Sequence, residues 1–88
     1  MASKNNNVEE TLKQRQGVHG EFSDNSQLSQ EFKMIIRNWD GNLSDVQKEA
    51  LDMIVHKIAR ILVGNPNHKD HWHDIGGYAK LAEDRIVE

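Results

Sequence analysis

The chain has 88 residues, a net charge of -3 with histidine neutral, and no cysteine. This length allows one small domain. The acidic net charge argues against binding of nucleic-acid polymers, because proteins that bind them are normally basic. The lack of cysteine excludes disulfides and thiolate chemistry. No apolar run approaches the roughly 20 residues of a membrane span, and no signal peptide is evident. We therefore expect a cytoplasmic protein without a membrane partner.

The hydrophobic periodicity is helical and no alternating strand pattern occurs, so the sequence predicts an all-α fold. Residues 1–7 are expected to form a disordered tail, and residues 8–88 a single domain built as a small bundle of three to four helices. A short loop joins the last two helices, which predicts that the long central helix packs antiparallel on the C-terminal helix. The helices are predicted over residues 8–16, 26–39, 44–63 and 69–87.

Capping residues mark the ends of the predicted helices. Ser44 and Gln47 match a capping box at the start of the central helix, and Gly64, followed by Asn-Pro, ends it. Asp24 or Ser26 is expected to cap the preceding helix. The two glycines of the stretch GVHG are predicted to separate that helix from the first one.

The predicted core is thin, because only 36% of the residues are hydrophobic. A chain this short buries a modest fraction of its surface, so we expect it to form a homo-oligomer. Gly76 and Gly77 each destabilise a helix by about 1 kcal/mol relative to alanine. A tight helix crossing would explain their presence, and close approach to a ligand is the second explanation. The predicted core residues are Leu28, Phe32, Ile35, Ile36, Trp39, Ala50, Leu51, Ile54, Ile58, Ile61, Leu62, Ile75, Ala79, Ala82 and Ile86.

Four charged residues form the clearest candidate site. Lys57 and Arg60 share a face of the central helix, and Asp70 and Asp74 lie at helical spacing on the last one. Antiparallel packing would bring the four charges to one groove. Two interpretations stay open: a pocket in which the cations bind phosphate and the carboxylates bind hydroxyl or amine groups, or a salt-bridge network that fixes the register of the helices.

Four further residues could complete such a pocket. Asp24 and Asn25 could reach the groove from a loop, Tyr78 could donate a hydrogen bond to a ligand, and Trp72 could stack on a base. Three of them also have a structural explanation, namely capping for Asp24 and packing between helices for the two aromatic residues.

A metal site is a weaker candidate. Histidines and aspartates crowd residues 68–74, and such side chains can bind transition metals. However, His71 and His73 diverge by about 200° on a helix, and no two-ligand helical motif occurs. His71 and Asp74, three residues apart, are a weak pair of metal ligands. A polar first helical turn is therefore favoured over a metal site, and no metal site is predicted.

Two stretches, GVHGEFSDN and EALDMIVHKIARILVGNPNHKDHWHDIGGYAKLAED, resemble a family of small uncharacterised proteins of bacteriophages and prophages. The shared features are a G-x-F-x-D-N element, M-I-x-x-K-I-A-R-I, a G-x-P loop and D-x-W-x-D-I-x-G-Y-A, together spanning residues 17–83. The resemblance implies an all-helical, phage-encoded domain and carries no assigned activity. It places seven residues at motif positions, namely Asp24, Asn25, Lys57, Arg60, Asp70, Asp74 and Tyr78.

The helix-loop-helix is also distantly similar to the all-α, MazG-like nucleotide pyrophosphohydrolases. That resemblance implies an E-x-x-E pair and an E-x-x-D pair that hold Mg²⁺ around a nucleoside triphosphate. This chain departs from the pattern, because Lys57 and Arg60 stand where the first acidic pair is expected. An alternative alignment keeps an E-x-x-D pair in Glu49 and Asp52, which point toward the polar side of the helix.

The sequence therefore favours a non-catalytic protein that binds a phosphorylated nucleotide-like ligand without a cofactor, with sequestration of that ligand as one use. The Lys57 and Arg60 pair supplies phosphate affinity without hydrolytic machinery, and interference with a host defence signal would be one use of it. Two alternatives stay open. One is a Mg²⁺-dependent pyrophosphohydrolase that uses Glu49, Asp52, Asp70 and Asp74, and the other is a module that binds a host protein and has no small-molecule site.

Overall fold

A computed structural model describes the backbone of residues 3–88 and the side chains of residues 7–88. The described residues form four α-helices and no strand, which confirms the predicted all-α class. The helices are α1 (Ser3–His19), α2 (Phe22–Trp39), α3 (Asp45–Val63) and α4 (Lys69–Glu83). Residues 1 and 2 of the predicted tail lie outside the described part of the chain.

The first two helices differ from their predicted boundaries. α1 begins at Ser3, within the segment predicted as a tail, and continues through Gly17. The break comes instead at Gly20, whose φ of 87° is left-handed and therefore suits glycine. α2 follows almost at once, and its N-cap is Glu21, whose carboxylate accepts hydrogen bonds from the Ser23 and Asp24 N–H groups. The capping prediction for Asp24 or Ser26 is wrong, because neighbouring Glu21 satisfies the free N–H groups first.

The central helix forms as predicted. The Ser44 hydroxyl accepts a hydrogen bond from the Gln47 N–H at 3.1 Å, and the Gln47 side chain accepts one from the Ser44 N–H at 3.0 Å, completing the capping box. At the other end the Gly64 N–H donates to the Arg60 carbonyl at 2.8 Å. The last helix ends at Glu83 rather than near residue 87.

Three helices lie side by side in one layer. α3 is in the middle and packs against α2 on one side and α4 on the other, while α2 and α4 do not contact each other in the described residues. Each pair is antiparallel. Between α2 and α3, Ser29 contacts His56 whereas the later Asp40 contacts the earlier Lys48. Between α3 and α4, Lys57 contacts Asp74, whereas Leu81 lies in the same groove as Val46. α1 contacts α2 and α3. We call α2, α3 and α4 the three-helix layer.

The layer encloses almost no apolar core of its own. Among the described residues, only Ala50 and Ala59 are buried apolar side chains. Several predicted core residues are exposed, and for them the prediction is wrong within a single chain, because the described residues leave part of the helix surfaces uncovered. These residues are Ile35, Trp39, Leu62, Ala79 and Ile86.

Close backbone contact joins the ends of α1 and α3. A Cβ on Gly64 would lie within 3.0 Å of the His19 backbone, and one on Gly20 would lie within 3.0 Å of Val63. The Asn65 N–H also donates a hydrogen bond to the Val18 carbonyl at 2.9 Å. These contacts fix the end of α1 against α3.

Gly76 and Gly77 have no such role. A Cβ added at either residue would meet nothing within 4 Å in the described part of the chain. The predicted tight helix crossing is therefore wrong within one chain, and the close approach of helices occurs at Gly20 and Gly64 instead.

Candidate functional site

A cavity of about 370 Å³ lies between the end of α1, the start of α2 and the second half of α3. We call it the α1–α2–α3 cavity. Its volume falls in the range of small-molecule sites. Its polar wall carries two arginines and two histidines, namely Arg15, Arg60, His19 and His56. The cavity is therefore rich in groups that can bind an anion.

Arg60 is the central charge of this wall. Its Nε is buried and has no hydrogen-bond partner among the described side chains. Burial lowers the pKa of the guanidinium, Arg15 lowers it further, and Asp74 partly offsets this effect. Arginine nevertheless stays charged at neutral pH, and a buried donor without a partner is costly. The cavity thus holds a cation with one buried donor, Nε, that has no hydrogen-bond partner among the described residues.

His19 stands beside Arg60 as a neutral group. Burial and the Arg60 charge, with smaller effects from neighbouring cations, lower its pKa to about 4. Its Nδ1 lies 3.2 Å from Nε2 of His71, so one of these nitrogens can donate a hydrogen bond to the other. A bound anion would counteract the Arg60 charge and favour protonation of His19.

His71 anchors this histidine pair from α4. It is only 1% exposed, and burial lowers the pKa of its ring. Its ring centroid lies 5.0 Å from that of His19 and 4.7 Å from that of His68. A hydrogen bond to the backbone of Val18 would favour the protonated ring of His71. The Val18 carbonyl, however, accepts a hydrogen bond from the Asn65 N–H, and Nδ1 of His71 has no hydrogen-bond partner in the described residues.

Two other polar residues complete the wall. Burial and the Arg60 charge lower the pKa of His56, and its Nδ1 lies 3.3 Å from the hydroxyl of Ser29. Asn25 is buried, and its amide donates a hydrogen bond to the His19 carbonyl at 3.0 Å. His56 is thus held by Ser29 of α2, and Asn25 of α2 is held by the end of α1.

One carboxylate and one aromatic ring lie at the start of α2. Glu21 lines the cavity, but its carboxylate accepts hydrogen bonds from the Ser23 hydroxyl and backbone, which lower its pKa. Phe22 also lines the cavity and is 81% exposed. A flat apolar ring therefore stands at the rim of a cation-rich cavity.

The four charges predicted to share one groove separate into different surroundings. Nζ of Lys57 lies 2.9 Å from Oδ2 of Asp74, and this contact lowers the pKa of Asp74. Lys57 is nearly covered, so the pair joins α3 to α4. Arg60 instead lines the α1–α2–α3 cavity. Asp70 is exposed in the first turn of α4 and forms no ion pair with a described side chain.

The other predicted site residues are dispersed. Of Asp24 and Asn25, only Asn25 lines the cavity, and Asp24 is exposed. Tyr78 lies in a second, apolar groove between α3 and α4, together with Glu49 and Leu81. The indole N–H of Trp72 donates a hydrogen bond to the Pro66 carbonyl at 2.9 Å, which ties the loop to α4.

The residues of the hydrolase alternative do not converge. Among the described residues, no three or more histidine or acidic side chains are placed to hold a metal ion together. Glu49 lies in the α3–α4 groove, while Asp74 is paired with Lys57. Within one chain, Glu49, Asp52, Asp70 and Asp74 therefore do not form a metal-binding set.

Sequence reasoning missed Arg15, His19, His56 and Phe22 as site residues. The signal for the first two was present, because Leu12, Arg15 and His19 follow helical spacing on one face of α1. Because the first helix was predicted to end at residue 16, His19 was not placed on this face.

A comparison with protein families identifies the family of this chain. Residues 6–86 match the family described as a domain of unknown function (DUF6378), which covers nearly the whole chain. Searches of curated proteins and of solved structures found no match. Within the described residues, no helix combines the length and the apolar character needed to cross a membrane. The chain belongs to the DUF6378 family.

Proposed function

We propose that this protein is a non-catalytic binder of a small phosphorylated, nucleotide-like ligand, held in the α1–α2–α3 cavity. The observation that carries the proposal is Arg60, whose buried Nε has no partner while a second arginine, Arg15, lines the same space. Structural arginines are normally paired when buried. A dianionic phosphate would supply the acceptors that this wall lacks.

The surroundings of Arg60 suit the phosphate end of such a ligand. Arg15 and Arg60 offer planar donor groups that match phosphate oxygens. His19 is neutral without ligand and can gain a proton when an anion binds, because its pKa of about 4 is held down mainly by burial and by Arg60. These groups provide both charge and adjustable hydrogen bonding.

The rim suits the base end. Phe22 is largely exposed beside the cavity, and base stacking on an aromatic ring is worth about 1–3 kcal/mol per base. Asn25, one turn along α2 from Phe22, lines the same cavity. A nucleotide with its phosphate near Arg60 and its base near Phe22 would use both ends of the cavity.

The composition of the wall favours binding over hydrolysis. Its one carboxylate, Glu21, already accepts hydrogen bonds at the start of α2. A Mg²⁺-dependent pyrophosphohydrolase is the alternative function, and its metal site would need carboxylates from more than one chain. A host-protein interaction module is the other alternative, in which Phe22 would contact a protein.

The resemblance to phage and prophage proteins suggests the biological use. A small protein that binds a nucleotide without consuming it can sequester a host signal, and anti-defence activity in the cytoplasm of a bacterial host would be one outcome. The support for this biological use is the phage context of the resemblance.

The test is a thermal-shift screen of the full chain with mono-, tri-, cyclic and dinucleotides, each with and without Mg²⁺. A ligand that binds the folded state raises the melting temperature. A shift without Mg²⁺ and without product formation is the expected result. A shift that needs Mg²⁺ and comes with product formation would support the hydrolase, and a screen without any shift would favour a protein partner.

A further inference from the structure

We propose that a second copy of the chain covers the uncharged face of the three-helix layer and that the protein is a homodimer. This inference is independent of the proposed ligand. The open face, as we call it, consists of two rows of apolar side chains. They are Leu28, Phe32, Ile35 and Trp39 of α2, and Leu51, Val55, Ile58 and Leu62 of α3.

Each row follows the spacing i, i+4, i+7, i+11, which places its four side chains along one side of a helix. None of the eight is charged and none is buried in the single chain. Trp39 is 86% exposed and Leu62 is 63% exposed. Such rows are typical of helix surfaces that pack on other helices.

The two rows lie on the same face of the layer. Ser29 and His56 contact each other between α2 and α3, and each immediately follows a row residue, Leu28 or Val55. In each helix the row residue precedes the contact residue by one position, which corresponds to a rotation of about 100° around the helix axis. Because the two helices are antiparallel, these two rotations direct both rows to the same side of the layer. Together they form a continuous two-helix surface.

The α1–α2–α3 cavity lies on the opposite face. Arg60 is two residues from both Ile58 and Leu62, so it points about 160° away from them around α3. α1 covers this opposite face near Arg60. A partner on the open face would therefore leave the cavity accessible.

The exposed area is large enough for a stable dimer. The chain exposes 6849 Å², whereas a compact monomer of 10.1 kDa is expected to expose about 5,300 Å². The excess of about 1,500 Å² belongs to the whole chain, and both the exposed helix α1 and the open face contribute to it; each partner in a typical stable interface buries roughly 800 Å². The radius of gyration, 15.7 Å, is likewise above the value of about 12 Å for a compact chain of this length.

The occupant that fits best is a second copy. A face made of two antiparallel helices can pack on its own two-fold image, which gives a bundle with four helices in its centre. Each chain carries a net charge of -3, but the open face itself carries no charge. Two copies can therefore meet there without burying like charges, and both apolar rows become a shared core.

The test compares two neighbouring residues of α2. Ile35 belongs to the open face and is 57% exposed, while Met34 is 55% exposed on a different side of the helix. Sedimentation equilibrium of the full chain should give a dimer for the wild type and for Met34→Glu. Ile35→Glu should weaken dimerisation at least about 100-fold, because two unpaired carboxylates would be buried at the interface. A monomeric wild type, or equal masses for the two variants, would overturn the proposal.

Cross-linking keeps the test decisive if Ile35→Glu fails to fold. The chain has no cysteine, so single-cysteine variants react at one place only. Cysteines placed in turn at Leu28, Phe32, Ile35 and Trp39 should include at least one that a short bismaleimide joins into a covalent dimer, and Met34→Cys should not be joined. Absence of cross-linking along the whole row, or equal cross-linking of Met34→Cys, would contradict the proposal.

Discussion

Arg60 and Lys57 are both basic residues of α3, three positions apart, yet their partners differ. Lys57 is matched by Asp74 across the α3–α4 contact, whereas Nε of Arg60 has no partner among the described side chains. The paired charge of Lys57 joins two helices, and we propose that Arg60, with an unpartnered buried nitrogen at a cavity wall, binds a ligand. This contrast separates two residues that are equivalent in the sequence.

The unpaired Arg60 should cost stability in the absence of a ligand. Arg60→Met keeps the apolar stem and removes the charge, so the unliganded melting temperature should stay equal to that of the wild type or rise. Differential scanning calorimetry checks this. A clear fall in the melting temperature would indicate that Arg60 is a structural residue with partners that the single chain does not provide.

Asp74 should matter because it is the partner of Lys57. Asp74→Asn leaves the nearly covered ammonium without its carboxylate, so the melting temperature should fall, and adding Lys57→Met should restore much of it. Asp70→Asn is the matched control, since Asp70 is exposed and unpaired among the described residues. Equal effects of the two Asp→Asn variants would show that the ion pair does not stabilise the fold.

His19 gives the fold a dependence on pH. Burial, then Arg60, with His71, Lys57 and His68 adding to it, lowers its folded-state pKa to about 4 from an ordinary 6.5. Between these values the unfolded chain binds more protons than the folded one, so its contribution to stability is present above pH 6.5 and is lost as the pH falls toward 4. The pKa values of His56 and His71 are also lowered, so these residues act in the same direction.

Urea unfolding at pH 7.5, 6 and 5 measures this effect. The free energy of unfolding should fall across the series for the wild type and fall less steeply for His19→Gln. Parallel pH profiles for the two proteins would mean that His19 titrates normally in the folded state.

Among the elements, α3 was the one that the sequence predicted best. Its capping box and its glycine stop are local signals, and they hold whatever surrounds the helix. The end of α1 could not be predicted locally, because both Gly17 and Gly20 are plausible breaks. α1 ends before Gly20, which unlike Gly17 has a left-handed φ and lies against Val63.

Two glycine substitutions test this account of the elements. Gly64→Ala places a methyl group against the backbone of His19 and should lower the free energy of unfolding by about 1–3 kcal/mol. Gly76→Ala meets nothing within 4 Å and should raise it by about 0.5–1 kcal/mol, because alanine is the better helix former. Chemical denaturation measures both. Equal stability of the two variants would contradict the assigned junction of α1 and α3.

At the scale of the whole molecule, the helical class followed from periodicity, but the distribution of burial did not. Periodicity identifies which side of a helix is apolar without identifying what covers it. Ile35, Trp39 and Leu62 were predicted as core residues and are exposed in one chain. Similarly, spacing placed Lys57 and Arg60 on one helix face, but only packing could assign one to α4 and the other to a cavity.

The phosphate site at Arg60 is tested most directly by calorimetric titration with the nucleotide that gives the largest thermal shift, and with its dephosphorylated nucleoside. The full chain is compared with Arg60→Met and with Arg37→Met, since Arg37 is an exposed arginine of α2 outside the cavity. Wild type and Arg37→Met should bind the nucleotide equally and the nucleoside weakly, and Arg60→Met should lose at least about 10-fold in affinity, as expected for lost hydrogen bonds to a charged group. Equal affinity of Arg60→Met and the wild type would contradict the assignment of the phosphate site.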